Sequence, residues 1–293
     1  MTRLVNKNVV VSLVVPTVGR VSDLDRLLAS LAGQTCKHFE LIIVDQNRDD
    51  RIQALLLKWR HSLHYVYVRS ALGASKARNV GLALAHGEII GFPDDDCWFP
   101  SDLIAQVTDW FDPCPDYDFL CCSARDDMLK DVALRWPRHS QPIHRRSVLS
   151  ACICFAFFIR RTALLEVGGF DEAMGPGADT PFQCGEETDL ALRLLNNSHP
   201  GWFEKRLYVH HPEKDARTAS SSRGFYYGMG LGYLLRKHRF PVGTWVYQVI
   251  RASGGALRAF CLARPREALF YLKSAAGRIL GFLQPPLKSS IQD

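Results

Sequence analysis

The stretch Ile89-Ile90-Gly91-Phe92-Pro93-Asp94-Asp95-Asp96-Cys97-Trp98-Phe99-Pro100 joins an apolar run to three consecutive carboxylates. The run Ile89 to Phe92 reads as a buried strand. An unpaired carboxylate is expensive to remove from water. A buried strand that ends this way therefore places its charges either in solvent beyond its carboxyl end or around a cation. Asp94 and Asp96 stand on alternate residues and can converge on one Mg²⁺ or Mn²⁺ that also takes diphosphate oxygens.

Working outward, the same type of element recurs. Val9 to Val15 is β-branched and apolar and stops at Pro16, as a buried strand does. Ser22 then reads as a helix cap. Leu24, Leu27, Leu28 and Leu31 follow at i, i+3, i+4 and i+7, and Gly33 closes the segment. Phe39 to Val44 is a second strand, closed by Asp45-Gln46-Asn47. Asp49 to Trp59 predicts a helix, Tyr65 to Val68 a short strand, and Ala74 to His86 a helix ended by Gly87. Strands alternating with helices at this spacing predict βαβ units and a mostly parallel sheet flanked by helices, an α/β fold. Ligands of such sheets bind beyond the carboxyl ends of the strands. Pro16-Thr17, Asp45 and Asp94-Asp95-Asp96 all stand at those ends.

Further along, Tyr117 to Ser123 predicts a strand, Arg125 to Arg146 a mobile excursion, and Ala151 to Ile159 another buried strand. Thr162 to Val167 reads as a short helix before Gly168-Gly169-Phe170-Asp171. Met174 to Gly185 is rich in Gly and Pro and reads as a loop. Glu186-Glu187-Thr188-Asp189 opens a helix to about Asn197; carboxylates in a first turn suit the helix dipole, which accounts for one or two of them.

Composition sets the frame. Of 293 residues, 47% are hydrophobic and 23% charged, enough apolar material for a sizeable core. The nine cysteines form no CxxC pair and no zinc spacing, and several lie in apolar runs, so they read as reduced thiols of a cytosolic protein. The N-terminal apolar run stops at Pro16 without a small-residue cleavage site, and reads as a first strand rather than a signal peptide.

Taken together, Val14-Val15-Pro16-Thr17, Leu41-Ile42-Ile43-Val44-Asp45, Gly73-Ala74-Ser75-Lys76-Ala77-Arg78-Asn79-Val80-Gly81, Gly87 through Asp96, Gly168-Gly169-Phe170-Asp171 and Gly185-Glu186-Glu187-Thr188-Asp189-Leu190 resemble, in order, the motifs of family 2 glycosyltransferases of the GT-A type. The resemblance covers roughly residues 9 to 215. It implies a GT-A, Rossmann-like catalytic domain, placed at residues 1–221, and inverting transfer of one sugar from a nucleotide-sugar donor. Residues 222–293 remain as a basic, amphipathic C-terminal helical appendage.

By that resemblance, Pro16, Thr17, Arg20, Asp45, Arg78, Asp94 and Asp95 line the nucleotide-sugar pocket, with Asp45 accepting from the nucleobase. Asp94 and Asp96 resemble the DXD motif, and Asp96 ligates Mn²⁺ or Mg²⁺. His211 matches a late metal or phosphate ligand of some relatives, with a structural histidine as the other reading. The usual Glu-Asp-X-Asp motif is altered to Glu186-Glu187-Thr188-Asp189, so the base is Glu186 or Glu187 with Asp189 in support. The Gln-X-X-Arg-Trp motif of processive relatives is absent, which implies one sugar per visit. A nucleotidyltransferase would want a glycine-rich loop where Pro16-Thr17-Val18-Gly19-Arg20 has a single glycine. A non-catalytic, transferase-like protein that binds nucleotide or membrane is the reading from another class.

From Gly224 onward the chain has ten Lys+Arg and two Asp+Glu, so the basic excess lies wholly in the tail. No stretch reaches the roughly 18 apolar residues of a spanning helix. Helices lying on an anionic membrane surface are one reading of the tail; helices packed on the catalytic domain or a partner subunit are the other. The first implies a cytoplasmic protein peripheral to the inner face of the cell membrane. The resemblance to family 2 enzymes, which often build surface polysaccharide there, implies a lipid-linked or glycan acceptor. Nucleic acid is not expected, because the basic residues are interleaved with aliphatics and no recognition motif is present.

Overall fold

The computed structural model describes residues 10–213 and 220–287, so the expected strand start at Val9 lies outside the described residues. The strands are β1 (Val11–Thr17), β2 (Phe39–Asp45), β3 (Tyr65–Arg69), β4 (Ile89–Gly91), β5 (Phe119–Arg125), β6 (Gln141–Ile143), β7 (Phe157–Arg160) and β8 (Gly201–His210). The helices are α1 (Ser22–Ala32), α2 (Arg51–Trp59), α3 (Ala74–Leu82), α4 (Leu103–Phe111), α5 (Val148–Ala151), α6 (Arg161–Glu166), α7 (Glu186–Asn196), α8 (Ser221–Lys237), α9 (Val242–Cys261) and α10 (Pro265–Leu283). The chain forms two compact units: Met1–Ala71 with Ala77–Gly169 and Leu190–Glu213, and Leu72–Lys76 with Phe170–Asp189 and Lys214–Asp293.

The first unit holds one eight-stranded sheet in the order β3-β2-β1-β4-β7-β5-β8-β6. β1 pairs in parallel with β2 and β4, β2 with β3, and β5 with β8; β7 runs antiparallel to both β4 and β5, and β6 antiparallel to β8. β1 and β2 are buried along their whole length, as continuous β-branched runs require. The four α1 leucines are fully buried, each contributing roughly 1.5–3 kcal/mol through removal from water. Pro16 does not end β1. The strand runs on to Thr17 because β4 stops pairing opposite Leu13, leaving no ladder on that side for a proline to interrupt.

Four local expectations are corrected. Ser22 is the first residue of α1 and makes no capping bond. The helix at Ala74 ends at Leu82 rather than His86. Ala151 to Ile159 is not one strand: α5 and a 3-10 turn at Cys154–Ala156 precede β7. A uniformly apolar run carries no period to separate helix from strand. Arg125 to Arg146, expected as an excursion, is anchored to the sheet at two points. Trp136 is buried, stacks on Phe203 at 5.7 Å and donates its Nε1–H to the Val132 carbonyl at 2.8 Å, and Gln141–Ile143 pairs with β8.

β8 carries a large bulge. Cys122 faces Glu204 but Ser123 faces Tyr208, so Lys205, Arg206 and Leu207 are extra on that strand. The Ser123 hydroxyl donates into the bulge, 3.1 Å from the Leu207 carbonyl.

In the second unit, α8 and α10 meet along small residues. A Cβ at Gly224 would lie 2.5 Å from the Phe270 carbonyl, at Gly228 2.3 Å from that of Ser274, and at Gly232 2.4 Å from that of Arg278. The rising order of partners shows that the two helices run in the same direction at backbone contact. Gly277 and Gly281 complete the seam from the other side. Gly228→Ala is accordingly expected to cost about 1–3 kcal/mol by overpacking, read as a lower denaturant midpoint at unchanged slope. Gly243→Ala, where nothing lies within 4 Å, serves as the neutral control. α9 returns antiparallel to α10: Trp245 donates to the Arg278 carbonyl and stacks on Phe282, while Gly255 abuts Tyr271. No helix among the described residues is long and apolar enough to cross a membrane.

Candidate nucleotide and metal site

β4 ends at Gly91, and the chain then curls through a turn closed by Cys97 N–H donating to the Asp94 carbonyl at 3.2 Å. That turn presents the three carboxylates to a small set of shared partners. Arg78, buried, donates to Asp94 Oδ1 at 3.0 Å. The Thr17 hydroxyl donates to Asp95 Oδ2 at 2.8 Å and Arg20 to Asp95 Oδ1 at 2.6 Å. The same Arg20 nitrogen lies 3.1 Å from Asp96 Oδ2. Burial pushes the Asp95 carboxyl above its usual range, with Arg20 and Thr17 pulling the other way. Two guanidinium groups thus answer three carboxylates within a few ångströms.

His211 joins this cluster from far along the chain. Its position follows from an antiparallel bridge between Trp98 and His210, whose backbones exchange hydrogen bonds at 3.0 and 2.9 Å and whose rings stack at 5.2 Å. The next residue, His211, is 2% exposed and stacks on Phe155 at 4.4 Å. Its Nδ1 lies 2.7 Å from the Pro212 carbonyl. A carbonyl only accepts, so this bond puts the proton on Nδ1 and leaves the lone pair of a neutral ring on Nε2. Nε2 has no hydrogen-bond partner among the described residues and lies 3.3 Å from Asp96 Oδ1. Two electron-pair donors held face to face in a buried place repel unless a cation stands with them or the ring gains a proton. Asp94, Asp96 and His211 each offer an atom, all within 4.8 Å of one another. Carboxylate oxygen and imidazole nitrogen are ligands that Mn²⁺ accepts. A ligating histidine whose other N–H donates to a backbone carbonyl is the usual second-shell arrangement. These residues fit a divalent cation.

Asp45 is fully buried at the end of β2. Its Oδ1 accepts from the backbone and side-chain N–H groups of Asn47, at 2.8 and 2.7 Å, and its Oδ2 from the Tyr67 hydroxyl at 2.8 Å. Any nucleobase donor reaching Asp45 shares it with these two. Pro16 lies in the β1–β2 ladder opposite Val44. Asn47 also accepts from Gly19 N–H at 2.8 Å, tying the loop after β1 to the end of β2.

Glu186, Glu187 and Asp189 belong to the first turn of α7. Glu186 is buried and Glu187 half-buried. Gly185, with φ +90°, sets up the turn, a conformation in which a glycine avoids strain. Asp189 is fully buried and lies 2.6 Å from Lys237 Nζ and 2.8 Å from His238 Nε2; Lys237 also reaches Asp171 at 2.6 Å. Lys237 thereby links the Gly168-Gly169-Phe170-Asp171 motif to Glu186-Glu187-Thr188-Asp189. In the sequence Lys237 is one of the ten basic residues of the tail, yet it and the neighbouring His238 turn inward to Asp189. Asn47, Tyr67, Phe155, Lys237 and His238 were not visible as site residues; only the spacing of Asn47 two residues beyond Asp45 hinted at one, as an Asx turn.

The model of glycosyl transferase family 2 matches residues 12–168, more than half of the chain. The chain belongs to family 2. A glycosyltransferase of Haemophilus influenzae, named as uncharacterised, is 26% identical over 194 residues, covering 63% of this chain and 61% of that protein. The pre-mycofactocin glycosyltransferase of Mycobacterium tuberculosis is 25% identical over 272 residues, 86% of this chain and 52% of that protein. An Escherichia coli relative named UDP-Glc:alpha-D-GlcNAc-diphosphoundecaprenol beta-1,3-glucosyltransferase is 29% identical over 100 residues, 33% and 40% of the two chains. The chain thus spans only about half to three-fifths of the first two relatives' lengths. Among solved structures, S. aureus TarS in complex with UDP-GlcNAc superposes with a TM-score of 0.60 at 16% identity, over 92% of this chain and 90% of that one. The fold is therefore that of the GT-A enzymes, with the expected mostly parallel sheet and a helical C-terminal region.

Proposed function

We propose that this family 2 member is an inverting, metal-dependent glycosyltransferase that moves one sugar from a nucleotide-sugar donor to a lipid-linked or glycan acceptor. The observation that carries the reading is the Asp94, Asp96 and His211 cluster, with the lone pair of His211 Nε2 turned toward Asp96. Mn²⁺ or Mg²⁺ held there supplies Lewis-acid charge stabilisation to a departing nucleoside diphosphate.

The other roles belong to this chain's own groups. Arg20 and Thr17 fix Asp95, and Arg78 fixes Asp94, so the DXD turn is preorganised before a donor arrives. Asp45, with Asn47 and Tyr67, frames the nucleobase end. Between the two candidate bases, Glu187 is the more accessible and matches the family's usual base position. A glutamate there takes the proton of an acceptor hydroxyl as the hydroxyl attacks opposite the leaving group. Asp189, enclosed by Lys237 and His238, anchors the first turn of α7.

UDP is the first nucleotide to test, because a UDP-sugar occupies the structural relative. The diphosphate-lipid acceptor named for the E. coli relative supports a lipid-linked acceptor, and with it work at the inner face of the cell membrane in surface-polysaccharide synthesis. Calorimetric titration with UDP, GDP and dTDP, each with Mn²⁺ and with EDTA, checks the donor site. One nucleotide is expected to bind at least tenfold more tightly with Mn²⁺. Folded protein that binds none of the three would remove the transferase reading and leave a non-catalytic relative.

A further inference from the structure

The last two helices are amphipathic, with apolar arcs that stand exposed among the described residues. At 3.6 residues per turn, Val242, Val246, Ile250, Leu257 and Phe260 of α9 fall within an arc of about 80°. Leu269, Leu272, Ala276, Ile279, Leu280 and Leu283 of α10 fall within about 100°. Every large side chain in these two arcs is between 39% and 75% exposed. By contrast, Met229, Tyr233, Leu234 and Leu235 of α8 are buried, so packing accounts for these residues and not for the two exposed arcs.

The two arcs share a side. On each helix the exposed arc follows, in the same rotational sense, the surface that meets the other helix: Trp245 and Gly255 on α9, Tyr271, Arg278 and Phe282 on α10. The helices are antiparallel, and reversing one of them carries the two arcs to the same side of the hairpin. The result is a broad apolar plane rather than two separate stripes. Monomeric soluble surfaces rarely leave such a patch bare.

Charge identifies the occupant. Between Arg239 and Leu287 there are seven Arg and Lys residues and one acid, Glu267, which Arg264 answers at 3.5 Å. Arg251, Arg258, Arg264 and Arg266 are exposed on these helices and at the turn between them. An apolar plane on a hairpin this rich in cations and almost free of acids complements an anionic bilayer, with leucines entering the acyl boundary and the long guanidinium side chains reaching for phosphates. A self-complementary dimer face would instead set these like charges against one another.

We infer that the α9–α10 hairpin is the membrane-docking surface of this protein and lies flat on anionic lipid. The inference rests on the membrane part of the reading above and not on its chemistry.

Vesicle flotation tests it, with phosphatidylcholine vesicles holding about 30% phosphatidylglycerol or none, at about 0.1 M and about 0.5 M salt. The protein is expected to float with anionic vesicles and to detach at least tenfold with salt or without the anionic lipid. Ile250→Asp with Leu272→Asp and Ile279→Asp is expected to lower partitioning at least tenfold while keeping helical circular dichroism and Mn²⁺-dependent nucleotide binding. Arg258→Glu with Arg266→Glu, which leaves the apolar plane intact, is expected to remove the preference for anionic lipid. A wild type that stays unbound would overturn both the surface and the membrane reading, while nucleotide binding would still stand. A triple variant that floats like wild type would overturn the surface alone. A dimer seen by light scattering, lost in the triple variant and unaccompanied by flotation, would assign the face to a second copy instead.

Discussion

Asp96→Asn is expected to reduce metal-stimulated donor turnover by about 10³-fold or more, the equivalent of the several kcal/mol a Lewis acid supplies. The substitution keeps shape and removes one charge. Asp96 is 8% exposed and faces both Arg20 and His211. Arg20 would remain, still held by Asp95. The measurement is kcat against Mn²⁺ concentration, with Mn²⁺ affinity read separately by paramagnetic resonance and folding by thermal melting. His211→Ala is expected to weaken Mn²⁺ affinity while leaving nucleotide binding in EDTA unchanged. A folded Asp96→Asn protein with wild-type Mn²⁺ dependence would refute the metal assignment.

Lys237→Met is expected to destabilise the fold by about 3–5 kcal/mol, the size of effect seen when one partner of a buried ion pair is removed. Met matches the length of the lysine stem but leaves Asp171 and Asp189 buried without the ammonium group they share. The effect has a pH signature. Burial opposes the charge on Lys237, but Asp189 and Asp171 more than offset that, so its pKa rises above its ordinary 10.5. A raised lysine pKa stabilises the fold fully below the unfolded value, and the gain is lost as pH climbs through the folded value. The stability gap between wild type and Lys237→Met should therefore be constant from about pH 7 to 9 and narrow above about pH 10.5. Urea midpoints across that range check it. A gap that stays the same at pH 11, or one below about 1 kcal/mol at neutral pH, would show that the ammonium does not hold these carboxylates.

Much of the first half of the fold was legible because single rules governed it. Continuous β-branched runs meant strands buried on both faces, and the α1 leucines recurred at helical spacing, so the strand–helix alternation and the parallel direction followed through β4. Legibility failed where two structures satisfy one pattern. Ala151 to Ile159 is apolar throughout, and nothing in it announces a helix, a turn and an antiparallel strand inserted between β4 and β5. Trp136 and Ile143 are too sparse to mark the stretch around them as anchored. The Asp triplet was legible as chemistry, because three carboxylates after a buried strand need partners, but which partner each would take was not. Lys237 was misjudged for a related reason. A lysine beside two arginines and a histidine looks solvated until a buried carboxylate is found opposite it, and Asp171 and Asp189 lie 66 and 48 positions earlier in the chain.

The three-residue bulge in β8 bears on how this protein can vary. Beyond the bulge the pairing with β5 resumes in step, Ser123 opposite Tyr208 and Arg125 opposite His210, because extra residues in a bulge stand outside the ladder. The side of the sheet that His211 takes is therefore set by the register at Arg125 and not by how many residues the bulge holds. Lys205, Arg206 and Leu207 can change in identity, and the bulge in length, while that register holds. A slip of the pairing by one residue would turn the histidine to the other side of the sheet, so the histidine's reach to Asp96 is guarded by the ladder beyond the bulge.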